Sequence, residues 1–137
     1  MIQPDEQWPH TVKGCDFIGV NYYARWLVKH VEKGWGKFNY AITVGDGELS
    51  EYGWETYPQG LRHSLEWCYD HYRRLIYITE NGLADSTGEG RTRYLLDHLG
   101  VLHEVMEGGV PVKGYFHWSL HDNFEWADGY KIPFGLY

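Results

Sequence analysis

Residues 75–82 read LIYITENG, and this stretch decides the fold. Its first five residues favour β structure, and a Glu and the turn pair Asn-Gly follow them, which predicts a short buried strand. Two other runs have the same character: residues 16–23 read DFIGVNYY, and residues 112–120 read VKGYFHWSL. Short, mostly apolar runs of this kind are typical of buried parallel strands. We therefore expect three parallel strands, each followed by polar side chains.

Two helical patterns separate these strands. Apolar residues recur at steps of three and four between residues 92 and 107, and a Gly pair and a Pro then stop the pattern. A second helix is predicted from Pro58, a favourable first helical residue, to about residue 74. Residues 25–57 predict a long loop with one or two hairpins. This order of elements indicates an α/β fold, either a doubly wound sheet or a (β/α) barrel.

Length and composition narrow the classes of protein. The chain has 137 residues, which predicts a single domain over residues 1–137, and its formal net charge of −7 argues against a nucleic-acid partner. No apolar run approaches the roughly 20 residues of a membrane-spanning helix, so we expect no membrane partner. The N-terminus lacks a secretory pattern, and two cysteines are too few for a disulfide scaffold. These features predict a cytoplasmic protein.

Aromatic residues are unusually frequent. Seven Trp, twelve Tyr and five Phe make up 18% of the chain, more than a core of this size needs. Rings with polar edges suit sugars, whose C–H faces are apolar, and they also suit protein interfaces. Composition therefore leaves both a carbohydrate site and a large interface open.

Polar and aromatic side chains gather where the predicted strands end. Both α/β architectures place their chemistry at the C-terminal ends of the strands. Glu80 is either a solvated loop acid or a catalytic carboxylate that Tyr23 could orient through a hydrogen bond. The segment WSLHDNFEW, residues 118–126, is either a hydrophobic turn with capping acids or a sugar platform. The full set at the strand ends is Asn21, Tyr23, Glu80, Trp118, Glu125 and Trp126.

These motifs, taken in order, resemble the β-glycosidases of glycoside hydrolase family 1. The resemblance rests on the stretches 16–23, 77–82 and 118–126, with GWE at residues 53–55 and FGL at residues 134–136. It implies a partial (β/α)8 TIM barrel, roughly the last three βα units, with a long loop or hairpin insertion after the first strand. It also implies a retaining β-glycosidase that hydrolyses terminal β-linked glucose or galactose. The residues themselves predict no metal and no cofactor, since the pair His117 and His121 has no third ligand in the sequence pattern.

The resemblance implies a role for each matching residue. Glu80 would be the nucleophile that forms a glycosyl-enzyme intermediate, and Tyr23 would hydrogen-bond to it. Trp118 would lie under the sugar, and Glu125 would bind the 4- and 6-hydroxyls. The remaining substrate-binding residues would be Asn21 near the leaving group, Trp126 at the 3-hydroxyl and Phe134 as one wall.

The chain departs from the family pattern in one respect. The general acid/base of the family is a Glu in an Asn-Glu-Pro motif, and these 137 residues contain no such motif. A non-catalytic sugar-binding module or a barrel-completing fragment is therefore the alternative function. Three strands cannot close a barrel, and open sheet edges promote association. We accordingly expect a homo-oligomer or pairing with a complementary barrel half.

Overall fold

The computed structural model describes residues 14–35 and 39–137. In chain order, the elements are β1 (Phe17–Asn21), β2 (Leu27–Trp35), β3 (Tyr40–Thr43), α1 (Pro58–Tyr72), β4 (Leu75–Asn81), α2 (Glu89–Glu107) and β5 (Val112–His117). A 3₁₀ turn at Trp126–Asp128 follows β5. The three predicted strands and both predicted helices are confirmed. No helix in the described ranges has the length and hydropathy to cross a membrane.

The central sheet has the order β1-β4-β5, and β4 is parallel to both neighbours. Leu61 and Leu65 of α1 and Val105 of α2 pack in one buried cluster with Ile76 and Ile78 of β4. Both helices therefore cover the same face of the sheet. A doubly wound fold has helices on both faces, whereas a (β/α) barrel has them only outside. The arrangement is thus an arc of a (β/α) barrel.

The opposite face of the sheet, which we call the inner face, is largely uncovered in the described structure. The burial pattern of β1 alternates, with Val20 on the helix side and Phe17 51% exposed. Phe17 and Tyr77 meet edge to face at 5.0 Å, and Phe116 is 58% exposed. In a closed barrel this face would point to the barrel interior.

An antiparallel hairpin, β2–β3, is inserted between β1 and α1. The prediction of one or two hairpins is confirmed by this pair. Its base is held by Glu55, which is 1% exposed and accepts hydrogen bonds from Arg25 Nε at 2.8 Å and from the Gly47 amide at 2.9 Å. The Arg25 guanidinium holds the pKa of Glu55 down at about 2. The carboxylate is therefore charged and paired, which a buried ion requires.

The last strand is shorter than predicted. It ends at His117, not at residue 120, and a cis peptide bond joins Trp118 to Ser119. The reason is a change of backbone partner. Trp118 still donates to the Asn81 carbonyl at 2.9 Å, but Ser119 donates to the Phe134 carbonyl at 3.1 Å. The segment after β5 thus leaves the sheet and pairs with the C-terminal residues.

Candidate active site

Glu80 owes its direction to an irregularity in β4. Ile76 and Ile78 are fully buried on the helix side, and strict alternation would place Glu80 beside them. The register shifts instead: Val20 lies opposite Ile78, but Asn21 lies opposite Glu80. Such a bulge re-aims the following side chain. The fully buried position passes to Asn81, and Glu80 turns away from the helices and is partly exposed.

Tyr23 holds one oxygen of this carboxylate. Its hydroxyl donates to Glu80 Oε2 at 2.7 Å. Burial and, next, the hydrogen bond to Glu80 raise the pKa of Tyr23 far above its ordinary value. The phenol therefore keeps its proton in neutral solution and remains a donor. Tyr23 thus engages Oε2 and leaves Oε1 available.

Asn21 lies on the same rim. It is the last residue of β1, directly opposite Glu80, and its side-chain Oδ1 accepts a hydrogen bond from Thr79 Oγ1 at 2.6 Å. Because Thr79 is the residue before Glu80, this bond ties the ends of β1 and β4 together.

A second cluster forms after β5. Trp118 Nε1 donates to Glu125 Oε1 at 3.0 Å, and Asn123 Nδ2 donates to the same oxygen at 2.7 Å. Ser119 Oγ donates to the His121 carbonyl at 2.7 Å and lies 3.2 Å from Asn123 Oδ1. The carboxylate of Glu125 is therefore held beside the Trp118 indole through one oxygen.

An aromatic floor joins the two clusters. Phe134 is only 3% exposed and forms a small core with Ala84 and Ile132, and both Tyr23 and Trp118 pack against this core. The Phe134 ring lies 6.0 Å from that of Tyr23. Phe134 thus packs against the ring of the residue that contacts Glu80.

Sequence reasoning missed Trp54 as part of this floor. Its ring meets the rings of Tyr23 at 5.7 Å and Phe134 at 6.2 Å. The GWE motif at residues 53–55 was the available signal, but nothing in it indicated a contact with Tyr23. Only the folded loop before α1 brings the indole to that place.

Trp126 stands apart from the other predicted site residues. It is 86% exposed and lies in the 3₁₀ turn directly after Glu125. The structure therefore brings Asn21, Tyr23 and Glu80 together, and Trp118 with Glu125, over the Phe134 floor, but it leaves the Trp126 indole free at the surface. Across residues 14–35 and 39–137, no three His, Cys, Asp or Glu side chains are grouped closely enough to hold a metal ion.

Comparison with known proteins finds relatives of this chain among the β-glycosidases. The β-galactosidase of Saccharolobus solfataricus is 40% identical over 129 residues, which are 88% of this chain and 26% of that protein. Beta-glucosidase A of Thermotoga maritima is 40% identical over 131 residues, 88% of this chain and 29% of that protein. The solved structure of a β-glycosidase from Pyrococcus horikoshii superposes with a TM-score of 0.80 at 40% identity, over 88% of this chain and 29% of that one.

The chain thus spans between a quarter and a third of the length of these relatives. The family model for glycosyl hydrolase family 1 matches residues 4–137, a range that includes both site clusters and the floor between them. With the barrel arc, the shared sequence and this match in agreement, the chain belongs to glycosyl hydrolase family 1.

Proposed function

We propose that this chain supplies the nucleophile side of a retaining β-glycosidase site, with Glu80 as the nucleophile. The single observation that carries the proposal is the 2.7 Å hydrogen bond from Tyr23 to Glu80 Oε2 at the C-terminal ends of β1 and β4. That is the end of a parallel strand where (β/α) barrels carry their catalytic groups. Membership of the family supports the same assignment.

In the proposed first step, Glu80 Oε1 attacks the anomeric carbon of the sugar. The bond from that carbon to the leaving-group oxygen breaks, and a glycosyl ester forms on Glu80. Tyr23 keeps Oε2 in place, so that the attacking oxygen is aligned before the sugar binds. A water molecule then attacks the same carbon, releases Glu80 and gives a sugar of retained configuration.

Retention requires a second carboxyl group about 5–5.5 Å from the nucleophile, which protonates the leaving oxygen and later takes a proton from water. We do not assign this role to Glu125, because the family resemblance gives its carboxylate to the sugar hydroxyls. The family's Asn-Glu-Pro motif is absent from the 137 residues. We therefore assign the acid/base to a polypeptide segment outside them. Without it, the rate would fall by about 10²–10⁴.

The proposed substrate is a terminal β-linked glucose or galactose. The Trp118 indole would support the apolar face of the pyranose, as aromatic rings do for sugars. Glu125 uses Oε1 for protein donors, so Oε2 would accept from the sugar hydroxyls. The Trp126 N–H would donate to the 3-hydroxyl, Asn21 would contact the leaving-group side, and Phe134 would form one wall.

The proposed partner is a complementary barrel segment. The exposed aromatic side chains of the inner face and the outer edges of β1 and β5 are the surfaces that such a segment would cover. This observation also favours the alternative function, a chain that only completes a barrel or binds sugar without turnover. A homo-oligomer would cover the same surfaces.

A chimera separates these functions. In it, this chain replaces the matching 29% of the Pyrococcus horikoshii β-glycosidase, which supplies the rest of the barrel. We expect hydrolysis of 4-nitrophenyl β-glucoside or β-galactoside, and a loss of about 10⁴-fold or more in kcat for Glu80→Gln. The control is Glu107→Gln, an exposed residue that ends α2 before β5 begins and so lies at the opposite rim.

The outcomes distinguish the functions. Full activity in Glu107→Gln with none in Glu80→Gln supports the nucleophile assignment. Sugar binding by a folded chimera without turnover would contradict it and select the binding module. Turnover that survives in Glu80→Gln would also contradict it.

A further inference from the structure

The pairing of the sheet does not fix Tyr23. β1 ends at Asn21, and the backbone pairing beyond it is the bond from the Tyr22 amide to the Glu80 carbonyl at 3.0 Å. Tyr23 nevertheless aims its hydroxyl at Glu80 Oε2 with a 2.7 Å separation. Another contact must hold its main chain. The structure provides one from α2: the Tyr94 hydroxyl donates to the Tyr23 carbonyl oxygen at 2.8 Å.

Tyr94 belongs to a buried hydrogen-bond network directly behind the site. Asn81 Nδ2 donates to the Tyr22 carbonyl at 2.7 Å and to the Tyr94 hydroxyl oxygen at 2.8 Å. Tyr115 of β5 donates to Asn81 Oδ1 at 2.8 Å. Asn81 is fully buried and Tyr94 is 1% exposed. The network therefore connects α2, β4 and β5 to the two residues that follow β1.

The Tyr94 ring itself is held firmly. It stacks on the imidazole of His98 with ring centres 3.8 Å apart, and His98 Nδ1 donates to the Tyr94 carbonyl at 2.7 Å. Burial lowers the pKa of His98 to about 4, so the imidazole is neutral in neutral solution. The hydroxyl of Tyr94 is thus presented by a rigid, uncharged support.

We infer that Tyr94 is a positioning residue for the contact between Tyr23 and Glu80. Asn81 directly follows Glu80, and Tyr94 bonds both to Asn81 and to the Tyr23 carbonyl. One hydroxyl therefore contacts the main chain at Tyr23 and the side chain of the residue that follows Glu80, one on each side of the 2.7 Å contact. The catalytic meaning of this inference rests on the proposed function, whereas its geometry does not. A network that serves only stability is the competing explanation.

Two matched variants separate these explanations. Tyr94→Phe and Tyr115→Phe each delete one hydroxyl that bonds to the Asn81 side chain, so a role confined to the Asn81 network predicts similar effects on Tyr23. Only Tyr94→Phe removes the bond to the Tyr23 carbonyl. We expect Tyr94→Phe to move the Tyr23 ¹³Cζ resonance, assigned by its absence in Tyr23→Phe, and Tyr115→Phe to leave it in place. Equal shifts in both variants, or none in either, would overturn the inference.

A kinetic measurement in the chimera adds the catalytic readout. A 2-deoxy-2-fluoro glycoside should label Glu80 about tenfold more slowly in Tyr94→Phe, and less than about threefold more slowly in Tyr115→Phe. Equal slowing in both variants would count against positioning. If the unsubstituted chimera takes no label, the proposed function fails, and the Tyr23 resonance still decides the positioning claim.

The unsubstituted chain gives a test that does not depend on the variants folding. A buried hydroxyl proton that donates to a carbonyl exchanges slowly and is visible by NMR. The Tyr94 hydroxyl proton should show nuclear Overhauser effects to the backbone protons at Tyr23 and Ala24. Their absence, with the resonance assigned, would overturn the inference.

Discussion

At the scale of single residues, the proposed site depends on the Tyr23 hydroxyl, which donates to Glu80 Oε2. Tyr23→Phe removes the donor to Glu80 Oε2 but keeps the ring that packs on Trp54 and Phe134. We expect kcat of the chimera to fall by about 10–100-fold, because the nucleophile is no longer held in line. The free energy of unfolding, measured in urea, should change much less than kcat. An unchanged kcat in a folded variant would show that Tyr23 does not orient Glu80.

His98 predicts a pH dependence of stability. Burial lowers its folded-state pKa to about 4, against 6.5 for an ordinary imidazole. The unfolded chain therefore binds the proton first as pH falls, and the stabilising contribution is present above pH 6.5 and lost towards pH 4. We expect the free energy of unfolding to fall by about 3 kcal/mol over that window.

Urea unfolding between pH 7.5 and 4 measures this dependence. His98→Gln carries no titrating imidazole and should show a flatter profile. If the free energy of unfolding falls equally with pH in His98→Gln and in the unsubstituted chain, groups other than His98 cause the pH dependence.

The sequence pointed to Glu80 and Tyr23 because they lie at strand ends within short motifs. It did not indicate how Glu80 reaches the site. The alternation that buries Ile76 and Ile78 predicts that Glu80 is buried on the same face. A bulge prevents this, and an alternating pattern of apolar and polar residues does not reveal where a bulge lies. Trp54 was missed for a related reason, since loop geometry brings it to Tyr23.

At the scale of elements, the ion pair between Arg25 and Glu55 anchors the β2–β3 hairpin. The pKa of Glu55, about 2, lies below that of an ordinary carboxyl group, so the anchor is intact above about pH 4 and weakens as pH falls towards 2. Glu55→Gln removes the closer and buried one of the two carboxylate partners of Arg25 and leaves the exposed Asp46. We expect severalfold faster proteolysis within residues 27–43, mapped by mass spectrometry.

Glu48→Gln is the matched control for this prediction. Glu48 forms a surface ion pair with Arg93, and both side chains are more than half exposed. Surface pairs contribute little, so this variant should be cut at the original rate. If Glu55→Gln is cut at the same rate as the unsubstituted chain, other contacts hold the hairpin.

The apolar pattern of the sequence does not predict where the two helices begin and end. α2 was expected from residue 92 and begins at Glu89, because Asp85 accepts hydrogen bonds from the Thr87 and Arg91 amides and so orders the first turn from outside the apolar repeat. α1 was expected to residue 74 and ends at Tyr72, where Arg73 takes a left-handed conformation. In both helices the apolar period located the middle, and local capping set the ends.

At the scale of the whole molecule, the inner face predicts association. Phe17 and Phe116 are more than half exposed on a sheet whose two edge strands have unpaired outer edges in the described structure. We expect the isolated chain to associate in light scattering. Phe116→Lys should reduce this association and leave the circular dichroism spectrum unchanged. A compact monomer of the unsubstituted chain at working concentration would contradict the prediction.

The order of elements along the chain predicted an α/β fold but could not choose between its two architectures. That choice depends on which face each helix covers, and apolar stripes of α1 and α2 look the same in either case. The burial of Leu61 and Val105 against the same face of β4 decides it. The two site clusters likewise lie 38 residues apart between Glu80 and Trp118, and only the shared floor under Tyr23 and Trp118 joins them.

The most direct test of the nucleophile assignment is to trap the glycosyl enzyme. The chimera is incubated with a 2-deoxy-2-fluoro β-glycoside that carries a good leaving group, and the labelled peptide is mapped by mass spectrometry. We predict one covalent sugar, on Glu80, and none in Glu80→Gln. A label on Glu125 or any other carboxylate, or turnover of the natural glycoside without a trapped intermediate, would contradict the account.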